Sequence, residues 1–292
     1  MAPTPPRVYI MRLAAAAALL LPACPAAAQS APSQASVTAR GMVESEMLNL
    51  PNEKARVERA VVIAFIRENT TPEVRRAARE FLRDFDPRLI MDRAGGFYPG
   101  LSPERQIEMI ELLDWCYPNM KGYDFRLNNI VAMATASPNR AVRRAGSELA
   151  GRYKVREAYF PLRRTANRSS GQDRLEAIRT LGAMADARGI YFLPDLLNER
   201  EPGVTEAVLE SLGRLGRLSA VVLKERMASA DPHVSLAALR VLMTMPAVDD
   251  LPAYYVWIQS HAEVQDPLKT EIYNLIAHLE VARDKGVETP RD

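Results

Sequence analysis

Three histidines, one cysteine outside the first 28 residues and scattered carboxylates are the side chains with which this chain could do chemistry. A protein-bound metal needs several such ligands brought together, and the commonest sequence signature is two histidines three or four residues apart. His233, His261 and His278 show no such spacing, so they read as surface or groove-lining residues. Cys116 lies between Trp115 and Tyr117 with no adjacent positive charge to stabilise a thiolate, so it reads as a small buried hydrophobe. The nucleophile elbow G-x-S-x-G, the H-E-x-x-H pair and a P-loop are all absent, and Ala94-Gly95-Gly96-Phe97 reads as a tight connection. Asp249-Asp250 sits where a helix cap belongs. The sequence therefore predicts no catalytic residue, no metal ligand and no cofactor.

Charge offers more than nucleophiles do. Residues 140–179 hold eleven basic residues against four acids, whereas residues 245–292 hold nine acids against four bases. Two readings of the basic segment stand. Either its arginines line solvated faces and bridge adjacent structural units, or they form a surface for an acidic partner. On the second reading the contact residues are Arg140, Arg143 and Arg144, which share one helical face by i,i+3 and i,i+4 spacing, together with Arg163, Arg164 and Arg168. Tyr254, Tyr255 and Trp257 form an aromatic run that either packs a helix into the core or anchors a partner.

The chain start predicts where these residues work. Arg7 and Arg12, the apolar run Leu13 to Leu21 and Ala26-Ala27-Ala28 form the parts of a secretory signal peptide over 1–28, cleaved after Ala28. Met11 offers a second possible start. Leu21-Pro22-Ala23-Cys24 is the competing pattern, a lipobox whose Cys24 would anchor a lipoprotein, although Pro22 and Pro25 fit it poorly. The expected location is the periplasm or the medium. Removing 1–28 takes away two arginines and no acid, so Lys+Arg falls from 38 to 36 against 36 Asp+Glu. Net charge then gives no argument for nucleic-acid binding. The body has no apolar run of the roughly 18 residues that a membrane span needs.

The elements that must position all of this follow a beat. Thr71-Pro72, Ser102-Pro103, Ser137-Pro138, Glu201-Pro202, Asp231-Pro232 and Asp266-Pro267 recur, with Ser170-Gly171 filling the one gap. A hydroxyl or carboxylate before proline is a helix start, since the side chain caps an orphan N–H and proline has none to lose. Leu82, Leu113, Leu181, Leu212 and Leu242 each follow ten residues after the start, and Leu149 eleven after its own. Second apolar segments run from Ile190 to Leu197, Leu218 to Met227 and Leu251 to Ile258. Strand patterns and hairpin turns are missing. A helical hairpin of this length cannot bury a core alone and must stack on its neighbours. The expected fold is all-α, an α-solenoid of about seven hairpins over 45–284, with a flexible linker at 29–44 and a disordered tail at 285–292.

Thr71-Pro72-Glu73-Val74-Arg75-Arg76-Ala77, Asp231-Pro232-His233-Val234, Leu181-Gly182 and Leu212-Gly213-Arg214-Leu215-Gly216 resemble the HEAT-repeat family. The resemblance covers roughly 71–280. Residues 86–102 and 116–137 depart from it, which leaves the second helices of the first two units open. It implies two antiparallel helices per unit and a binding surface rather than a catalyst. The function expected is a non-catalytic, monomeric scaffold or adaptor in the bacterial envelope, with an unidentified and acidic protein partner. The alternatives are a polyanion-binding envelope module working through 140–179, or an enzyme or enzyme accessory with its site on the concave face. Similar repeats occur in lyases that attach bilins to phycobiliproteins, a task in the wrong compartment for an exported chain.

Overall fold

A computed structural model describes residues 34–199, 201–261 and 268–285. The readings of 1–28 as a signal peptide, of Cys24 as a lipid anchor and of the tail beyond Lys285 lie outside the described residues. Among the described residues all regular structure is helical, and the chain is an α-solenoid.

First and second helices alternate. The first helices are α1 (Gln34–Met47), α3 (Pro72–Leu82), α5 (Pro103–Asn119), α7 (Arg140–Tyr153), α9 (Gly171–Ala183), α11 (Val204–Leu215), α13 (Pro232–Thr244) and α15 (Leu268–Asp284). The second helices are α2 (Glu53–Val61, running on into a π turn), α4 (Pro87–Ala94), α6 (Phe125–Thr135), α8 (Tyr159–Arg168), α10 (Gly189–Phe192, extended by a 3-10 segment to Asn198), α12 (Ala220–Met227) and α14 (Leu251–Ser260). First helices stack on first helices, as α5 on α7, α7 on α9, α9 on α11 and α11 on α13.

The starts fall on the expected beat. Thr71, Ser102 and Asp231 accept from the backbone N–H of Val74, Arg105 and His233, each inside the first turn that the cap serves. Two slots are capped differently. Asn139, not Ser137, caps α7 by accepting from Ala141 and Val142. At the Glu201-Pro202 slot the cap is Gly203 with φ of +79°, so α11 begins at Val204. Pro267 lies outside the described residues. Leu82, Leu113, Leu149, Leu181, Leu212 and Leu242 are all buried, as their spacing predicts. The second helices left open by the sequence, α4 and α6, both form.

One expectation is overturned. Residues 34–44 are not a linker but most of α1, which packs against α3. Ala39, Val43 and Met47 are buried at i, i+4 and i+8, a single narrow stripe, and Arg40 Nε donates to Glu44 at 2.7 Å on the outside. Small residues hid this stripe, because alanine and valine in polar surroundings resemble spacer composition. With α2, α1 forms a hairpin ahead of the first expected unit, so among the described residues seven hairpins precede α15.

Two glycines show how tightly the stack is built. A Cβ on Gly182 of α9 would sit 2.5 Å from the Cα of Ser211 in α11, and one on Gly146 of α7 would sit 2.5 Å from Ala134 Cβ in α6. No side chain fits at either crossing. Ser211 uses the close approach to donate from its hydroxyl to the Ile178 carbonyl at 2.9 Å.

Candidate partner-binding face

The basic segment spans α7, α8 and the first turns of α9, and the structure divides its arginines into two groups. The first-helix arginines reach neighbouring units. Arg140 Nε lies 2.9 Å from Asp173 on α9, and Arg143 binds the same carboxylate while donating to the Ser137 and Pro138 carbonyls at 2.9 and 2.8 Å. Arg152 reaches Asp114 on α5 at 2.6 Å, and Arg179 reaches Glu210 on α11 at 3.2 Å. Arg174 is buried and donates to Glu201 at 2.7 Å and also to Glu199. The same Glu201 accepts from the backbone N–H of Gly171 at 2.7 Å, so it caps α9 from the following unit. That N–H, and then Arg174, hold its carboxyl below the usual carboxylate range. Arg75, in the motif at 71–77, does the same work one end earlier, bridging to Glu104 and Glu108 on α5. Among the described residues Arg144 pairs within its own helix, with Glu148 at 3.1 Å.

The second-helix arginines differ. On α8, Tyr159, Leu162 and Ala166 are buried at i, i+3 and i+7, which turns Phe160, Arg163, Arg164 and Arg168 outward. Arg163 packs its guanidinium over the Phe192 ring at 5.2 Å. Arg164 and Arg168 are exposed and have no ionic or hydrogen-bonding partner among the described residues. Arg188, from the turn into α10, lies 4.2 Å from the centre of the Tyr159 ring and 5.4 Å from that of Phe160. Arg188 also donates to Asp186 at 2.9 and 2.6 Å, so the cation nearest the exposed Phe160 is itself ion-paired.

Phe160 is one of a series that sequence reasoning missed. In successive second helices the residues just after or near the start, Phe125 (65% exposed), Phe160 (61%), Tyr191 (75%) and Val221 (64%), all face solvent. The equivalent Tyr255 is 38% exposed and its hydroxyl donates to Glu280 on α15. Leu127, Leu162, Leu193, Leu223 and Trp257, each two residues further along, are buried, which fixes the equivalence. The signal was present in the sequence, since these outward residues keep the beat of the helix starts. An apolar residue near a helix start reads as core by pattern alone, and only burial separates the two.

The aromatic run at the far end is mostly core. Trp257 is buried, donates from Nε1 to Ser235 Oγ at 2.7 Å and stacks on His261 with ring centres 4.4 Å apart. Tyr254 is also buried, and burial pushes its phenol well above its ordinary value. Neither can anchor a partner, because both rings are buried, that of Trp257 against Ser235 of α13. Only Tyr255 of the three reaches solvent.

Of the other groups, Cys116 is buried and its thiol is pushed up to about 12, so it is not a nucleophile at neutral pH. Asp250 is buried against Arg217, Lys224 and the Ala247 N–H, a structural anchor for the turn into α14. Among the described residues no three His, Cys, Asp or Glu side chains converge on a point that could hold a metal. The cleft between α7, α8 and α9, lined by Arg140, Arg143, Arg144 and Asp173, has about 10 Å³, room for no more than a water. A larger crevice of about 230 Å³ lies between the α5–α6 and α7–α8 turns, walled by the stacked Tyr117 and Tyr153 and by Tyr123. Lys154, held at φ of +55°, stands at its mouth. Among the described residues no helix is long and apolar enough to cross a membrane.

No curated protein matches the chain. Residues 161–243, from α8 to α13, match the family model for HEAT repeats, and over this stretch the chain is a run of helical hairpins.

Proposed function

We propose that this protein is a non-catalytic interaction scaffold of the bacterial envelope that receives an acidic protein partner on the face formed by its second helices. HEAT repeats are commonly protein-interaction scaffolds, and the basic, apolar and A-x-A segments over 1–28 support an exported chain. One observation carries the choice of face. Arg164 and Arg168 stand exposed and unpaired beside an exposed Phe160, while Arg140, Arg143, Arg174 and Arg179 are committed to ion pairs with the next unit. Cations beside an exposed aromatic ring suit a partner that offers carboxylates next to apolar side chains.

The test is chemical crosslinking and affinity capture from the native envelope, comparing the wild-type chain with Arg164→Glu/Arg168→Glu. The expected result is one acidic protein, captured by the wild type, lost in the reversed variant and weakened as salt rises, since exposed charges act over about 8 Å at physiological ionic strength. The variant should keep its helical circular dichroism. Capture indifferent to both salt and reversal would overturn this reading. Retention on an envelope polysaccharide, with no protein captured, would replace the protein partner by a polyanion.

A further inference from the structure

We propose that the crevice between the α5–α6 and α7–α8 turns binds a single neutral sugar ring, free or at the end of a glycan. The proposal goes beyond the scaffold reading and needs neither its partner nor the arginines of α8.

Three features mark the crevice. The first is Lys154, which closes α7 with φ of +55° and ψ of +47°. Helices that end in this left-handed conformation usually do so on glycine, because a Cβ is strained there. The Lys154 ammonium is exposed and has no partner among the described residues, so the strain is tolerated for a side chain that the fold does not use. The second is Glu157, in the turn into α8. Tyr123 donates from its hydroxyl to Oε1, whereas Oε2 is buried without a hydrogen-bond partner. A buried carboxylate oxygen without a donor is costly, and a ligand hydroxyl supplies one. The third is the cover. Tyr123 follows Gly122, whose φ is +87°, and is 71% exposed, so it can turn aside without disturbing the core.

The lining then selects the ligand. A volume of about 230 Å³ lies below the roughly 300–1,000 Å³ of sites for drug-sized molecules, so the crevice takes about one ring. Burial raises the phenols of Tyr117 and Tyr153, and both walls stay uncharged at neutral pH. Asp124 is held by Arg126 at 2.8 Å, and Arg156 lies 3.9 Å from Asp186. What remains is one ammonium and one carboxylate oxygen, a balance that suits a ligand without net charge. Sugar hydroxyls accept from Lys154 and donate to Glu157 alike. The C–H face of a pyranose carries positive hydrogens and suits the negative face of a phenol ring. A cationic ligand would meet Lys154 and Arg156 in the same lining, and an anionic one would meet Glu157.

The probes are the methyl glycosides of glucose, galactose, mannose and N-acetylglucosamine, added to the full mature protein in saturation-transfer NMR. Those that respond are titrated by calorimetry. At least one should bind, with saturation strongest on its ring C–H protons. Lys154→Gly should weaken it about tenfold, the lower end for a charged hydrogen bond, while the thermal midpoint holds or rises as the backbone strain is relieved. Glu157→Gln should weaken it to a similar degree with the midpoint unchanged. A disaccharide ending in the responding ring and bound as tightly would assign the glycan end, and its exclusion would assign the free sugar. No saturation transfer from any of the four at about 10 mM would overturn the proposal. Binding indifferent to both substitutions would place the sugar elsewhere and overturn it too. Tighter binding of free leucine than of any glycoside would overturn it in favour of a zwitterionic amino acid.

Discussion

The two helices of one hairpin, α7 and α8, are comparably rich in arginine and use it in opposite ways. On α7, Arg140, Arg143 and Arg152 reach Asp173 on one neighbour and Asp114 on the other. On α8, Arg164 and Arg168 are exposed and reach no partner among the described residues. The difference comes from position in the stack. A first helix has first helices on both sides, and their early turns and outer faces carry acids at bonding distance. Around α8, Asp186 is taken by Arg188 and Asp195 by Arg226, so Arg164 and Arg168 stay in solvent. Sequence composition cannot separate these roles, because both sets belong to one basic segment. Arginine content marks this hairpin, and only the stacking partner decides whether a charge serves the fold or a ligand.

The largest expected effect tests how tight the first-helix layer is. Gly182→Ala places a Cβ against the backbone of Ser211, where neither helix can yield without moving its neighbours. Urea unfolding should show a loss of about 3 kcal/mol, the upper end for overpacking a close contact. A loss under 1 kcal/mol would mean that α9 and α11 slide freely, and the rigid layer set against the open face would no longer hold.

The second sharpens the contrast in arginine use. Arg174→Met leaves Glu199 and Glu201 without their shared cation and should cost about 2 kcal/mol, the scale of charged hydrogen bonds. Arg164→Met should stay within about 0.5 kcal/mol of wild type, as exposed substitutions do. The pH dependence has a definite sign. Glu201 is held below its ordinary value in the folded chain, so its contribution is complete above the unfolded carboxylate pKa of about 4.3 and disappears as pH falls through the lower folded value. Wild type should therefore lose stability in acid more steeply than Arg174→Met. Parallel acid limbs would place the pair outside the folding energetics.

These contrasts mark what the sequence carries and where it stops. Helix starts at Thr71, Ser102 and Asp231 and the leucine positions are local facts, set by capping and period, and they are legible residue by residue. The helix over 34–47 was hidden because Ala39 and Val43 bury little surface each and resemble spacer composition. Ion pairs such as Arg174 with Glu201 join residues 27 apart, and no local rule assigns them. The exposed row from Phe125 to Val221 keeps a readable beat, yet its apolar types point to the core. What faces water is decided by the stack, after every local rule has been satisfied.

The smallest effect reverses the first within the same motif. Gly213 lies 31 positions after Gly182, each following its leucine near the end of a first helix. Around a Cβ at Gly213 nothing lies within 4 Å, and the residue faces solvent. Alanine there would meet no neighbour and would gain the helix preference that glycine lacks, which is about 1 kcal/mol in a helix interior. Near the end of α11 the gain should be about 0.5 kcal/mol, because terminal residues are less fully ordered. Gly213→Ala should thus raise the urea midpoint while Gly182→Ala lowers it. A loss at both positions would mean that α11 is approached by something on its outer side, and the first-helix layer would then carry a contact of its own.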